Sequence, residues 1–185
     1  MFPLTSGEGG AKLCGLGPPD QPDGGRIVGT INNFDLGMSK LPHDSAPANP
    51  PVVRPADGYA GDVSPQLAFE WWQAGAAVLV DVRTDAEREW VGFVPGAVSL
   101  AWKQWPGMAM NPAFEEGLRS AVPAGQKVLF LCRSGVRSIA AAKRATELGH
   151  EAYNILEGFE GDPDGQAQRG HKGGWRYQGF PWRQG

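Results

Sequence analysis

Val128-Leu129-Phe130-Leu131-Cys132-Arg133-Ser134-Gly135-Val136-Arg137-Ser138 is the stretch that decides the fold. Its first four residues are apolar without a polar break, as in a strand buried on both faces. From Val136 onward, Ile139, Ala140 and Leu148 keep helical spacing, and Gly149 supplies a C-terminal stop. A buried strand that runs through a short loop into a helix is the repeating unit of a parallel sheet. Ligands of such sheets bind beyond the carboxyl ends of the strands, which makes residues 132–138 the candidate site.

The same alternation extends to either side. Ser64 with Pro65 behind it predicts a helix through Trp71 and Trp72 that stops near Gly75. Ala77-Val78-Leu79-Val80 is a second unbroken apolar run, leading into Asp81. Thr84 and Glu87 have the spacing of a capping box, so Asp85 to Trp90 is expected to be helical. Val98-Ser99-Leu100 reads as a short strand. Asn111-Pro112 opens a helix through Phe114 and Leu118 towards Val122, and Tyr153-Asn154-Ile155-Leu156 is a third strand. The fold class is α/β, a parallel sheet covered on both faces.

The chain has 185 residues, enough for about one domain with some fifty residues over. Nine of its 16 prolines fall between Pro3 and Pro55, whereas all seven tryptophans lie at Trp71 or later. The first part has little with which to build a core. Residues 1–57 are therefore expected to be a Gly/Pro-rich flexible segment, and 58–185 the folded domain. Inside the first segment residues 26–31 could pair as a strand, and Met38 could be a natural start.

A formal charge of −3 without a basic stripe argues against nucleic acid. No apolar run approaches the roughly 18 residues of a membrane span, and the first residues lack the basic and apolar regions of a signal peptide. Cys14 and Cys132 make no disulfide framework, and with three scattered histidines they make no zinc site. A cytoplasmic protein with a reduced thiol and no metal follows as the expectation.

Within the loop, Gly135 allows close backbone approach or positive φ, and the first-turn N–H groups of the following helix are free to meet an anion. Arg133 and Arg137 oppose the helix dipole there, at a cost of up to about 1 kcal/mol each. They make sense if a thiolate or a bound anion is their partner. A free cysteine ionises near pH 8.5, and bringing it down by about two pH units takes roughly 2.7 kcal/mol of preference for the anion. A helix N-terminus and two guanidinium groups could supply that amount, so Cys132 is the candidate nucleophile. The bland alternative is a buried structural cysteine at a strand end.

These pieces together resemble the rhodanese (thiosulfate sulfurtransferase) family in its single-domain form. The matching segments are Leu79-Val80-Asp81-Val82-Arg83, Val94-Pro95-Gly96-Ala97, the 132–138 loop, Leu156-Glu157-Gly158-Phe159, and the ending Gly174-Trp175-Arg176 with Gly179-Phe180-Pro181-Trp182. The resemblance implies a central five-stranded parallel sheet flanked by helices on both faces, a persulfide on Cys132, and no cofactor. It implies a small anionic sulfur donor held by Arg133 and Arg137, with Ser134, Gly135, Val136 and Ser138 completing the binding loop. The acceptor would be cyanide, a thiol, or a protein. Phe93 stands where the family usually has a histidine. Four residues separate Cys132 from Arg137; similar phosphatases and arsenate reductases have one more, which leaves room for a tetrahedral oxyanion. A non-catalytic or sulfur-relay module remains the other reading.

Among the remaining residues, Asp81 and Arg83 could anchor Arg137 or Arg133, or form an ordinary ion pair at the sheet edge. Trp102 and Trp105 could wall a pocket or simply pack, and Trp175 and Trp182 are expected to clamp the C-terminal segment. Cys14 could resolve a persulfide or be incidental. His43, His150 and His171 read as surface residues, and Glu115-Glu116 and Glu87-Arg88-Glu89 as solvated helix faces.

Overall fold

Among the described residues, 51–185, the computed structural model runs β1 (Val53–Ala56), β2 (Tyr59–Val63), α1 (Pro65–Gln73), β3 (Ala77–Asp81), α2 (Asp85–Val91), β4 (Val98–Ser99), β5 (Lys103–Gln104), β6 (Ala109–Met110), α3 (Phe114–Ala121), β7 (Lys127–Leu131), α4 (Val136–Glu147) and β8 (Glu151–Ile155). The expectations placed on residues 26–31, Met38, Cys14 and His43, and on the first fifty residues of the 1–57 segment, lie outside the described residues.

Five strands are parallel, in the order β2-β8-β7-β3-β4, and a sixth, β1, adds antiparallel to β2 at the edge. The expected five-stranded parallel sheet is thus a six-stranded mixed one. The sheet reaches back past Gly58 to Val53, and Pro55 fits there because an edge strand does not need every N–H.

The continuous apolar runs are buried on both sides, as their lack of alternation requires. Val80, Val128 and Phe130 face α3 and α4 with Phe114, Leu118, Ala141 and Ala145. Leu79, Leu129 and Leu131 face the other way, onto α1 and the C-terminal segment with Ala68, Phe159 and Trp175. Trp175 is fully buried against Phe69, Trp72 and Phe180, and its Nε1–H donates to the Pro181 carbonyl. Trp182 packs edge-on against Phe159. Both tryptophans fasten the C-terminal segment as expected.

The starts of α1 and α2 follow their side-chain caps. Ser64 Oγ accepts from the Leu67 N–H at the head of α1, and the Thr84–Glu87 capping box is complete at α2. Among the described residues no helix is long and apolar enough to cross a membrane.

Candidate active site

Cys132 follows the last residue of β7 and is only 1% exposed, so its sulfur lies beneath the loop rather than on it. Gly135 turns the chain with φ 109° and becomes the N-cap of α4, which carries no side-chain cap. Its N–H donates to Cys132 Sγ at 3.1 Å. Ser138 Oγ, fully buried one turn into α4, lies 3.2 Å from the same sulfur. Val136 opens α4 as expected, but its side chain is 77% exposed and takes no part in the core. Ser134 is half-buried.

The turn after β8 holds the loop from behind. The Phe159 N–H donates to the Cys132 carbonyl at 2.8 Å, and the Glu160 N–H to that of Arg133 at 3.0 Å. Gly158 makes the approach possible. Its φ is 62°, and a Cβ there would collide with the Cys132 carbonyl and lie 2.7 Å from the Arg133 carbonyl oxygen.

Asp81 and Arg83 do not anchor the loop arginines. They pair with each other, buried, with Arg83 Nε at 3.0 Å and Nη2 at 2.6 Å from the two Asp81 oxygens. Arg83 also donates to the Gly92 carbonyl at 2.8 Å and lies over the Phe159 ring at 3.8 Å. It therefore bolts the end of β3 to the turn after β8 that holds the Cys132 loop.

The anchor of Arg137 is Glu87. The two form a bidentate pair at 2.6 Å on each arm, the side chains 15% and 23% exposed. Glu87 is thus no solvated face, and neither is Arg88, which is buried and donates to the Asp81 and Arg83 carbonyls. Burial alone would raise the Glu87 carboxyl, but Arg137 and the Thr84 cap outweigh it and bring its pKa down to about 2. Glu87 in turn raises Arg137 above its ordinary value. One of the two loop cations is thereby neutralised. Arg133 is exposed and makes no side-chain ion pair among the described residues.

Beside the loop lies a cavity of about 620 Å³. Thr84, Glu87, Trp90 and Val91 of the α2 side, Trp105 and Met108 of the β5–β6 turn, and Arg133 with Arg137 line it. Trp90 and Trp105 are 75% and 67% exposed, which is unusual for such large apolar surfaces. Trp105 therefore does wall a pocket, whereas Trp102 packs edge-on against Phe114 in the core. Phe93 is not in the cavity lining; its backbone pairs with Arg183. His150 is half-buried, and His171, exposed as expected, pairs with Asp164.

Three contributors escaped the sequence reading. Glu87 is recognisable there only as a cap, Gly158 only as part of a matching segment. Asn154, inside an apolar strand, gave no signal, yet its Oδ1 accepts from Ser138 Oγ at 2.6 Å.

Residues 64–161 match the rhodanese-like domain family. The crystal structure of Rv0390 from M. tuberculosis is 45% identical, with a TM-score of 0.63 over 69% of this chain and 99% of that one. The uncharacterized protein RC0915 of Rickettsia conorii is 35% identical over 116 residues, 58% of this chain and 83% of its own length. A homologue from Rickettsia prowazekii is 34% identical over 110 residues, with the same coverage.

Proposed function

Because the chain belongs to the rhodanese-like domain family, we propose that it is a sulfurtransferase that carries sulfur on Cys132, in the cytoplasm and without a cofactor. The observation that carries this reading is the setting of Cys132 Sγ. It faces the Gly135 N–H at 3.1 Å and the Ser138 hydroxyl at 3.2 Å, in front of the uncapped N-terminus of α4.

The Cys132 thiolate attacks the outer sulfur of an anionic donor such as thiosulfate. A sulfur–sulfur bond forms to Cys132, the donor's own sulfur–sulfur bond breaks, and sulfite leaves with that electron pair. The terminal sulfur of the persulfide then carries the negative charge. The first-turn N–H groups of α4, which have no partner inside the helix, are the donors suited to it. An acceptor thiolate or cyanide attacks that terminal sulfur, and Cys132 leaves as the thiolate. Arg133 is the cation free to meet the donor's sulfonate end, while Arg137 keeps Glu87 and shapes the loop.

The cavity supports a second reading for the acceptor half. Its volume falls within the roughly 300–1,000 Å³ of sites for drug-sized molecules, far more than cyanide needs. A larger thiol, or the cysteine of a partner protein, would fill it, and the chain would then act as a sulfur relay.

The experiment is turnover of thiosulfate with cyanide and, separately, with a bulky aryl thiol. Thiocyanate formation that disappears in Cys132→Ser supports transfer through Cys132; turnover that survives the substitution overturns it. Hydrolysis of an aryl phosphate lost in the same variant, with no thiocyanate formed, would replace it with phosphatase chemistry.

A further inference from the structure

Four polar side chains from three elements meet behind Cys132: Tyr59 and Asp62 of β2, Asn154 of β8 and Ser138 of α4. The Tyr59 hydroxyl donates to Asp62 Oδ1 at 2.7 Å, and Asn154 Nδ2 donates to the same oxygen at 2.8 Å. A carboxylate only accepts, so the NH2 half of the Asn154 amide faces Asp62 and its Oδ1 is left facing Ser138. Burial, and then the bond to Asp62, push the Tyr59 hydroxyl above its ordinary pKa and keep it a donor.

The Ser138 hydroxyl has one hydrogen and three acceptors in reach. These are Asn154 Oδ1 at 2.6 Å, the Gly135 carbonyl at 2.9 Å and Cys132 Sγ at 3.2 Å. Giving that hydrogen to the sulfur takes it from Asn154. From these distances we propose that Asn154 is a positioning residue that competes with Cys132 for the Ser138 hydroxyl and so restrains ionisation of the thiol. A thiolate is a strong enough acceptor to win the hydrogen, whereas a thiol or the inner sulfur of a persulfide is not. The hydroxyl then sits on the sulfur when Cys132 is an empty thiolate and on Asn154 when it is protonated or sulfur-loaded. The sulfur-loaded half rests on the sulfurtransferase reading; the thiol half does not.

The other charged groups around the thiol are Arg133 of the loop, Arg137 of α4 with Glu87 of α2, and Asp81 of β3 with Arg83 after it. None of them is altered in the variants that test the competition. The test is alkylation of the full chain by iodoacetamide from mildly acidic to mildly alkaline pH, with Cys132 and Cys14 counted separately by peptide mass. Asn154→Leu, which keeps the branched heavy-atom skeleton but can neither donate nor accept, is expected to raise the acid-side rate at Cys132 about fivefold, the effect of one neutral hydrogen bond. Ser138→Ala is expected to lower it about tenfold, and Asn154→Leu added to Ser138→Ala to change nothing further.

A chain that merely satisfies buried polar groups gives the Leu substitution the same effect with and without Ser138. That result, or a slower or unchanged rate in Asn154→Leu, overturns the proposal, as does a parent Cys132 that resists alkylation at every pH. Should Asn154→Leu fail to fold, Asp62→Asn carries the test. An amide there lets the Asn154 amide turn its NH2 towards Ser138, so the rate is expected to rise only while Ser138 is present. The predicted order of alkylation rates without persulfide formation would overturn the proposed function and leave this competition standing.

Discussion

Replacing Glu87 by Gln removes the charge that neutralises Arg137 while leaving the shape of the α2 cap nearly intact. Glu87 is lowered from the ordinary 4.5 to about 2. The full displacement corresponds to about 3.4 kcal/mol between its protonation states. The pair keeps 15% and 23% side-chain exposure, and solvent screening reduces the contribution to about 2 kcal/mol. Because the folded-state value is depressed, this stabilisation is fully present above the unfolded value of 4.5 and is lost as pH falls towards about 2. Denaturant unfolding of the parent and Glu87→Gln at neutral pH is therefore expected to differ by about 2 kcal/mol, and more than half of that difference to be gone by about pH 3. A difference that stays constant with pH, or one below about 0.5 kcal/mol at neutral pH, would refute the assignment of Glu87 as the anchor of Arg137.

Three further outcomes follow from the same geometry. Gly158→Ala puts a Cβ into the Cys132 carbonyl at positive φ. A stability loss of about 3 kcal/mol or more, together with slowed chemistry at Cys132, is expected by thermal unfolding and sulfur-transfer assay. Asp81→Asn leaves the fully buried Arg83 without its counter-charge, so a loss of about 3–5 kcal/mol is expected from denaturant midpoints. Trp105→Ala, at an exposed cavity wall, is expected to change stability by no more than about 0.5 kcal/mol. It is expected to raise KM for a bulky aryl thiol acceptor and to leave KM for cyanide unchanged.

What could be read in advance, and what could not, divides along the range of the interactions. The runs 77–80 and 128–131 announce buried parallel strands because burial on both faces removes every polar break. The caps at Ser64 and Thr84 act within three residues and are visible at that distance. β1 and the β5–β6 pair are short and mostly exposed at sheet edges, with no hydrophobic pattern to mark them. Glu87 meets Arg137 across 50 positions of chain, which no local spacing encodes. Asn154 is hidden differently. A polar residue inside an apolar strand reads as an imperfection until the fold places Ser138 and Asp62 on its two ends. Val136 shows the converse, an apolar residue at helical spacing that the helix start turns outward.

The proposed function turns on a single sulfur atom carried by Cys132. Intact-mass measurement of the full chain after exposure to thiosulfate and removal of excess donor detects it. A gain of one sulfur atom is expected, located on the peptide containing Cys132, discharged by cyanide and missing from Cys132→Ser. No gain, or a gain that persists in that variant, would contradict it.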